Sequence, residues 1–172
     1  QHKYADALDG NGQRLKTAVT ELSRALATAD EGGQDLAGTL RLEAIKTDAS
    51  AVQGAAPAST GRTDPGQPSG LIAYYDKATP TRLVVFCHGL GQTVEHAWTD
   101  HILRTVRPDV VVVATNYRDN ERMPLLRGAH DTIAATLAAK ARFPSIETVY
   151  LLGVSMGGAV SGAAIAESVH AT

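Results

Sequence analysis

From residue 71 onward the apolar positions gather into short runs separated by longer, mixed stretches. Leu71-Ile72-Ala73-Tyr74-Tyr75, Arg82 to Phe86, Val110 to Ala114 and Thr148 to Leu152 are strand-length and rich in branched or aromatic side chains. Helices are predicted between them, near Glu95 to Val106 and from Ala129 to Ala141, with a last one after Ser155. Apolar strands alternating with helices predict parallel strands buried on both faces and joined by right-handed crossovers. The expected fold class is α/β, a parallel sheet flanked by helices.

The first 55 residues follow a different pattern. Leu8, Leu15, Val19, Leu22 and Leu26 recur at helical spacing, and Leu36, Leu40, Ile45 and Val52 form a weaker stripe after Gly32-Gly33. Together they predict an N-terminal helical hairpin over residues 1–55. Its apolar seam is too narrow to sustain it alone, so it must pack elsewhere, as a brace on the main domain or as a lid. Proline and glycine fill Gly54 to Gly70, which predicts a linker over 56–70 ahead of a main domain at 71–172.

The strand run ending at Leu152 leads into Gly153-Val154-Ser155-Met156-Gly157, and then into a helix of small residues. A Gly-x-Ser-x-Gly between strand and helix is a nucleophile elbow, which holds a serine at the tip of a strained turn. The serine there takes a positive φ, and side chains at Gly153 or Gly157 would collide with neighbouring strands. The first turn of the following helix aims backbone N–H groups toward Ser155, where an oxyanion would develop.

A second motif, Cys87-His88-Gly89-Leu90-Gly91-Gln92, follows directly on another buried strand. With this loop and the elbow two strands later, residues 71–172 resemble the α/β-hydrolase family, in its N-terminal part. The resemblance implies a serine hydrolase in which Ser155 is the nucleophile, with oxyanion donors from the backbone N–H groups of Met156 and Leu90. Gly91 and Gln92 remain alternatives to Leu90 at this point. His88, Gly89, Gly91, Gly153 and Gly157 would support the two loops, and the histidine of this loop is usually structural in the family. The stretch Asn116 to Arg122 keeps Arg118 but lacks the aspartate and glycine of the family's Asp-x-Arg-Gly, and reads as a hydrogen-bonded turn.

The other histidines offer no base at this stage. His96, His101 and His130 fall on or near predicted helices, where a surface position is expected, and His2 is close to the N-terminus. His170 lies 15 residues past Ser155 on the same predicted helix, about 22 Å away at the helical rise. The resemblance puts the acid and the histidine on later strands, beyond Thr172. The expected partner is therefore a complementary C-terminal chain, cleaved from this one or separately encoded, that supplies an Asp or Glu and the His. Without it the elbow strand would be an apolar sheet edge, which natural proteins avoid.

Composition narrows this only modestly. A net charge of −2 gives no footprint for nucleic acid, and no apolar run is long enough to span a bilayer. The single cysteine, Cys87, excludes an internal disulfide and a thiolate metal cluster and reads as a buried, inert thiol. No cofactor or metal is expected. Trp98 reads equally as a wall of an acyl pocket or as a core or interface residue. Gln1 in place of Met fits a secreted protein after signal removal, or a trimmed chain, and leaves a cytoplasmic protein open. The expected reaction is hydrolysis of a small acyl or lipid-like ester through an acyl-serine. An acyltransferase of the same fold and a non-catalytic hydrolase-like binding module are the alternatives.

Overall fold

The computed structural model describes residues 37–47, 52, 70–118 and 125–170, the last two by their backbone only. The chain divides into Gln1–Ala37 and Gly38–Thr172, and every element described below belongs to the second unit. These elements are β1 (Leu40–Ala44), β2 (Gly70–Tyr75), β3 (Arg82–Cys87), α1 (Ala97–Arg104), β4 (Val110–Thr115), α2 (Leu125–Arg142), β5 (Thr148–Gly153) and α3 (Met156–His170). The strands form one five-stranded sheet in the order β1-β2-β4-β3-β5.

The fold is α/β, but the sheet is mixed. β3 pairs in parallel with β4 and β5, whereas β2 runs antiparallel to both β1 and β4. An all-parallel sheet was the wrong expectation, because a strand's own apolar pattern records burial and not the direction of its neighbour. The second predicted helix is corrected as well. Leu40–Ala44 is a strand, paired residue for residue with Leu71–Tyr75. Residues 1–36, 48–51 and 53–55 of the predicted hairpin lie outside the described residues, as does the predicted linker apart from Gly70, which opens β2.

Side-chain alternation sends the two faces of the sheet into two cores. Ile72, Leu83, Val85, Val111 and Val113 meet Ala135 and Ala139 of α2 on one face. On the other face, Ala73, Phe86, Val112 and Ala114 meet Leu103 of α1. Leu83, Val85, Phe86, Val111 and Val113 are essentially inaccessible to water, and full burial of each such side chain stabilises the fold by about 1.5–3 kcal/mol. The helices lie on opposite faces for a topological reason. From β3 the chain steps one way to β4, then returns past β3 to β5, so two right-handed crossovers must use opposite faces. α3 packs against α2, and Val160 fits over the bare backbone of Gly128.

β5 differs from its neighbours. Val149 and Leu151 pack into the α2-side core, while Tyr150 and Leu152 face the other way and stay exposed. Among the described elements, α1 covers β2 and β4 and leaves that side of β5 open. Among the described strands β5 is also an edge, with a hydrogen-bonded neighbour on one side only.

Candidate active site

The carboxyl ends of β3 and β5 lie side by side, with Cys87 paired to Gly153. Their outgoing helices, α1 and α3, depart on opposite faces. This is the topological switch point at which open α/β sheets place ligands. The two glycine-containing motifs occupy these two strand ends.

The elbow is built by close approach. Val154 N–H donates to the Cys87 carbonyl at 3.1 Å, and Gly157 and Gly158 N–H groups donate back to Val154 and Ser155 carbonyls at 2.9 Å each. The turn puts Ser155 at φ 55, and among the described residues it is the one non-glycine with positive φ. Its side chain is exposed. A Cβ on Gly157 would strike the Cys87 carbonyl oxygen and would lie 2.7 Å from the His88 oxygen. Met156 is buried against Cys87, Tyr117 and Val160, which fastens the start of α3 to the end of β3. The arrangement presents a hydroxyl to solvent at the positive end of a helix, where negative charge developing beside it would be stabilised.

The facing loop is a tight turn. Gln92 N–H donates to the Gly89 carbonyl at 3.2 Å. Gly91 takes φ 69, as the third residue of a type II turn requires. The Gln92 side chain folds back, and its Oε1 accepts the Gly89 N–H at 3.0 Å. A Cβ on Gly89 would lie 3.6 Å from Ser155 Cβ, so this turn reaches the serine. Gln92 N–H is committed within the turn, which leaves Leu90 and Gly91 as the turn's candidates for an outward-facing donor.

His88 is fully buried, with Nδ1 at 2.9 Å from the Gly89 carbonyl and its ring 4.3 Å from the Tyr117 ring. A carbonyl can only accept, so Nδ1 carries the proton. Burial holds the imidazole below its ordinary value, against the opposing effect of the Gly89 hydrogen bond. An unfolded chain would protonate His88 near pH 6.5, whereas the folded chain resists. Unfolding therefore takes up a proton, and stability is complete above about pH 6.5 and falls below it. His88→Asn is expected to flatten this acid-side decline between pH 7.5 and 5.5. The difference in slope should be at most about 1.4 kcal/mol per pH unit. Denaturant titrations of both proteins across that range measure it, and equal slopes would show that His88 titrates normally.

Cys87 is buried, with Sγ at 3.6 Å from Thr132 Oγ1. The turn after β4 is hydrogen-bonded: Asn116 Oδ1 accepts Val94 N–H at 2.9 Å, and Arg118 reaches Asp131 through its N–H at 2.9 Å and Nε at 2.7 Å. Burial pushes the Asp131 carboxyl up, and these Arg118 contacts oppose it. His130 corrects the expectation of a surface histidine, being buried on α2 with Nε2 at 3.4 Å from Glu167 Oε2 on α3. It is inside because α2 packs against both the sheet and the neighbouring helix α3. His96 caps α1, its Nδ1 accepting Trp98 N–H at 3.3 Å. Trp98 is 62% exposed, which removes the core reading. Among the described residues no hydrogen bond joins a histidine to Ser155. Sequence reasoning treated Gln92 only as an alternative backbone donor and missed its side-chain bond to Gly89.

Two solved structures of esterase B from Lactobacillus rhamnosis are similar to this chain. One is the C6-C4 SN3 inhibited enzyme and the other is inhibited by a C4-C4 SN3 tributyrin phosphonate. Each shares 19% sequence identity at a TM-score of 0.47, over 86% of this chain and 48% of the other. The chain thus spans about half the length of these structures. No protein-family model and no curated protein matches it.

Proposed function

We propose that this chain carries the nucleophile and oxyanion donors of a serine hydrolase of the α/β-hydrolase kind, acting on ester or related acyl bonds. The observation that carries the reading is Ser155 at φ 55 on an exposed strand-to-helix turn. A non-glycine residue in that conformation costs free energy, and such strain persists mainly where function requires it. A plain binding module has no use for it. In this reading Ser155 Oγ attacks the acyl carbonyl while a histidine takes its proton and passes it to the departing alkoxide. Met156 N–H and Leu90 N–H receive the developing oxyanion. Water then attacks the acyl-serine with the same histidine as base, releasing the acid and restoring the serine.

The histidine and its acid come, in this proposal, from further polypeptide seated beside β5. The exposed Tyr150 and Leu152 and the unpaired edge support such an addition. So does the position of α3. A right-handed crossover through a helix on the α2 face leads away from β3, to the open side of β5. A fluorophosphonate is the test. It should label Ser155, located by peptide mass mapping, in the protein with its completing polypeptide, and leave residues 1–172 alone unlabelled. Labelling elsewhere, or none in the completed protein, overturns the nucleophile. Equal labelling of residues 1–172 alone overturns the need for completion.

A further inference from the structure

Three hydrogen bonds converge on Gly89. Its N–H is held by Gln92 Oε1 at 3.0 Å, and its carbonyl accepts from Gln92 N–H at 3.2 Å and from His88 Nδ1 at 2.9 Å. The Gly89 carbonyl and the Leu90 N–H belong to one planar peptide unit, and no cis peptide occurs among the described residues. In a trans unit the two groups point in opposite directions. The carbonyl is turned inward by its two donors, so the Leu90 N–H is turned outward. It leaves from the residue adjacent to Gly89, the one that reaches Ser155.

We propose that Gln92 is a positioning residue that locks the Gly89–Leu90 peptide plane, so that the Leu90 N–H is set as an oxyanion donor before substrate arrives. The proposal rests on the serine-hydrolase reading. Glycine is the most freely rotating residue in the chain, and a turn's own backbone hydrogen bond is often absent. A turn with glycine at 89 and 91 would therefore sample many orientations of that plane. The Gln92 side chain closes a second ring around the same residue, from the N–H side, and removes that freedom. A donor fixed in advance requires no reorganisation when the oxyanion forms, which is the source of its effect on the chemical step.

Gln92→Met keeps the length and apolar stem but lacks the acceptor, and Gln92→Glu keeps an acceptor oxygen. Gln92 is half-buried on a surface turn, and Gln92→Ala is a second variant without the acceptor. Two measurements apply: steady-state hydrolysis of a p-nitrophenyl butyrate probe by the completed protein, and amide hydrogen exchange at Gly89. Outright loss of an oxyanion donor lowers kcat by roughly 10²–10³, so a loosened donor should lower it about ten- to a hundredfold with KM within about twofold. Gly89 exchange should quicken in Gln92→Met and Gln92→Ala and stay near wild type in Gln92→Glu. Wild-type kcat in the Met and Ala variants, or a loss confined to KM, overturns the proposal. Gly89 exchange as fast in the Glu variant as in the Met variant overturns it too. Hydrolysis that survives Ser155→Ala would instead overturn the parent reading, and Gly89 exchange would still report on the clamp.

Discussion

Ser155→Ala is expected to abolish acyl-ester hydrolysis by the completed protein while leaving its melting temperature within about 2 °C of wild type. The two halves of that expectation come from different features of the same residue. Removing the nucleophile of a complete serine triad lowers kcat by roughly a millionfold, because the remaining members cannot act without it. The hydroxyl has no packing role. Ser155 is exposed, and the hydrogen bonds that shape the turn run through its backbone and those of Val154, Gly157 and Gly158. Alanine keeps the Cβ, so the cost of φ 55 is the same in both proteins. An exposed change of this kind stays within about 0.5 kcal/mol, or about 2 °C at this chain length. Activity against the butyrate ester and a thermal melt, on the same preparations, check both halves. Substantial residual hydrolysis would remove Ser155 from the mechanism, and a large drop in melting temperature would mean that its side chain is structural.

Most of the site's framework was readable from residue order alone. β3 and β4 carry continuous apolar runs because they are buried on both faces, and burial is what hydrophobic patterning records. β5 has a similar run although one of its faces, with Tyr150 and Leu152, is exposed. The elbow was readable because two glycines at fixed offsets from a serine have a steric reason. β1 was not. Leu40, Leu42 and Ala44 alternate with Arg41 and Glu43, a period of two, but Leu36 and Leu40 also sit one helical turn apart. Pairing with β2 decided between the two readings, and no local pattern reports a partner about 30 residues away. His130 was misread for a related cause. A histidine on a helix is buried or exposed according to what packs on that face, and here it is α3, whose Glu167 is 37 residues further on. Gln92 was hidden because its side chain bonds a backbone N–H three residues back, and that bond exists only once Gly91 has turned the chain.

Gly157→Ala should destabilise the fold by at least about 3 kcal/mol, whereas Gly162→Ala, five residues along the same helix, should be neutral or stabilising. Helix propensity alone predicts the same gain for both, about 1 kcal/mol for alanine over glycine. Packing separates them. A methyl group on Gly157 would collide with the carbonyl oxygen of Cys87 and would sit 2.5 Å from its carbon and 2.7 Å from the His88 oxygen. These are main-chain atoms at the end of β3, which has β4 on one side and β5 on the other, so they cannot rotate aside as a side chain would. Relief requires α3 to lift from the sheet or the His88 loop to swing out, at the upper end of overpacking costs or beyond, about 3 kcal/mol or more. Gly162 meets nothing within 4 Å among the described residues. For a chain of this length 1 kcal/mol moves the melting temperature by about 2–4 °C. Gly157→Ala should then melt about 6–12 °C below wild type or fail to fold, and Gly162→Ala should melt at or slightly above it. The retreat of the His88 loop carries Leu90 away from Ser155, so kcat should fall in Gly157→Ala at temperatures where it is still folded. Equal melting temperatures for the two variants would mean that the elbow and the β3 loop are not in contact, and the oxyanion site drawn from that contact would go with it.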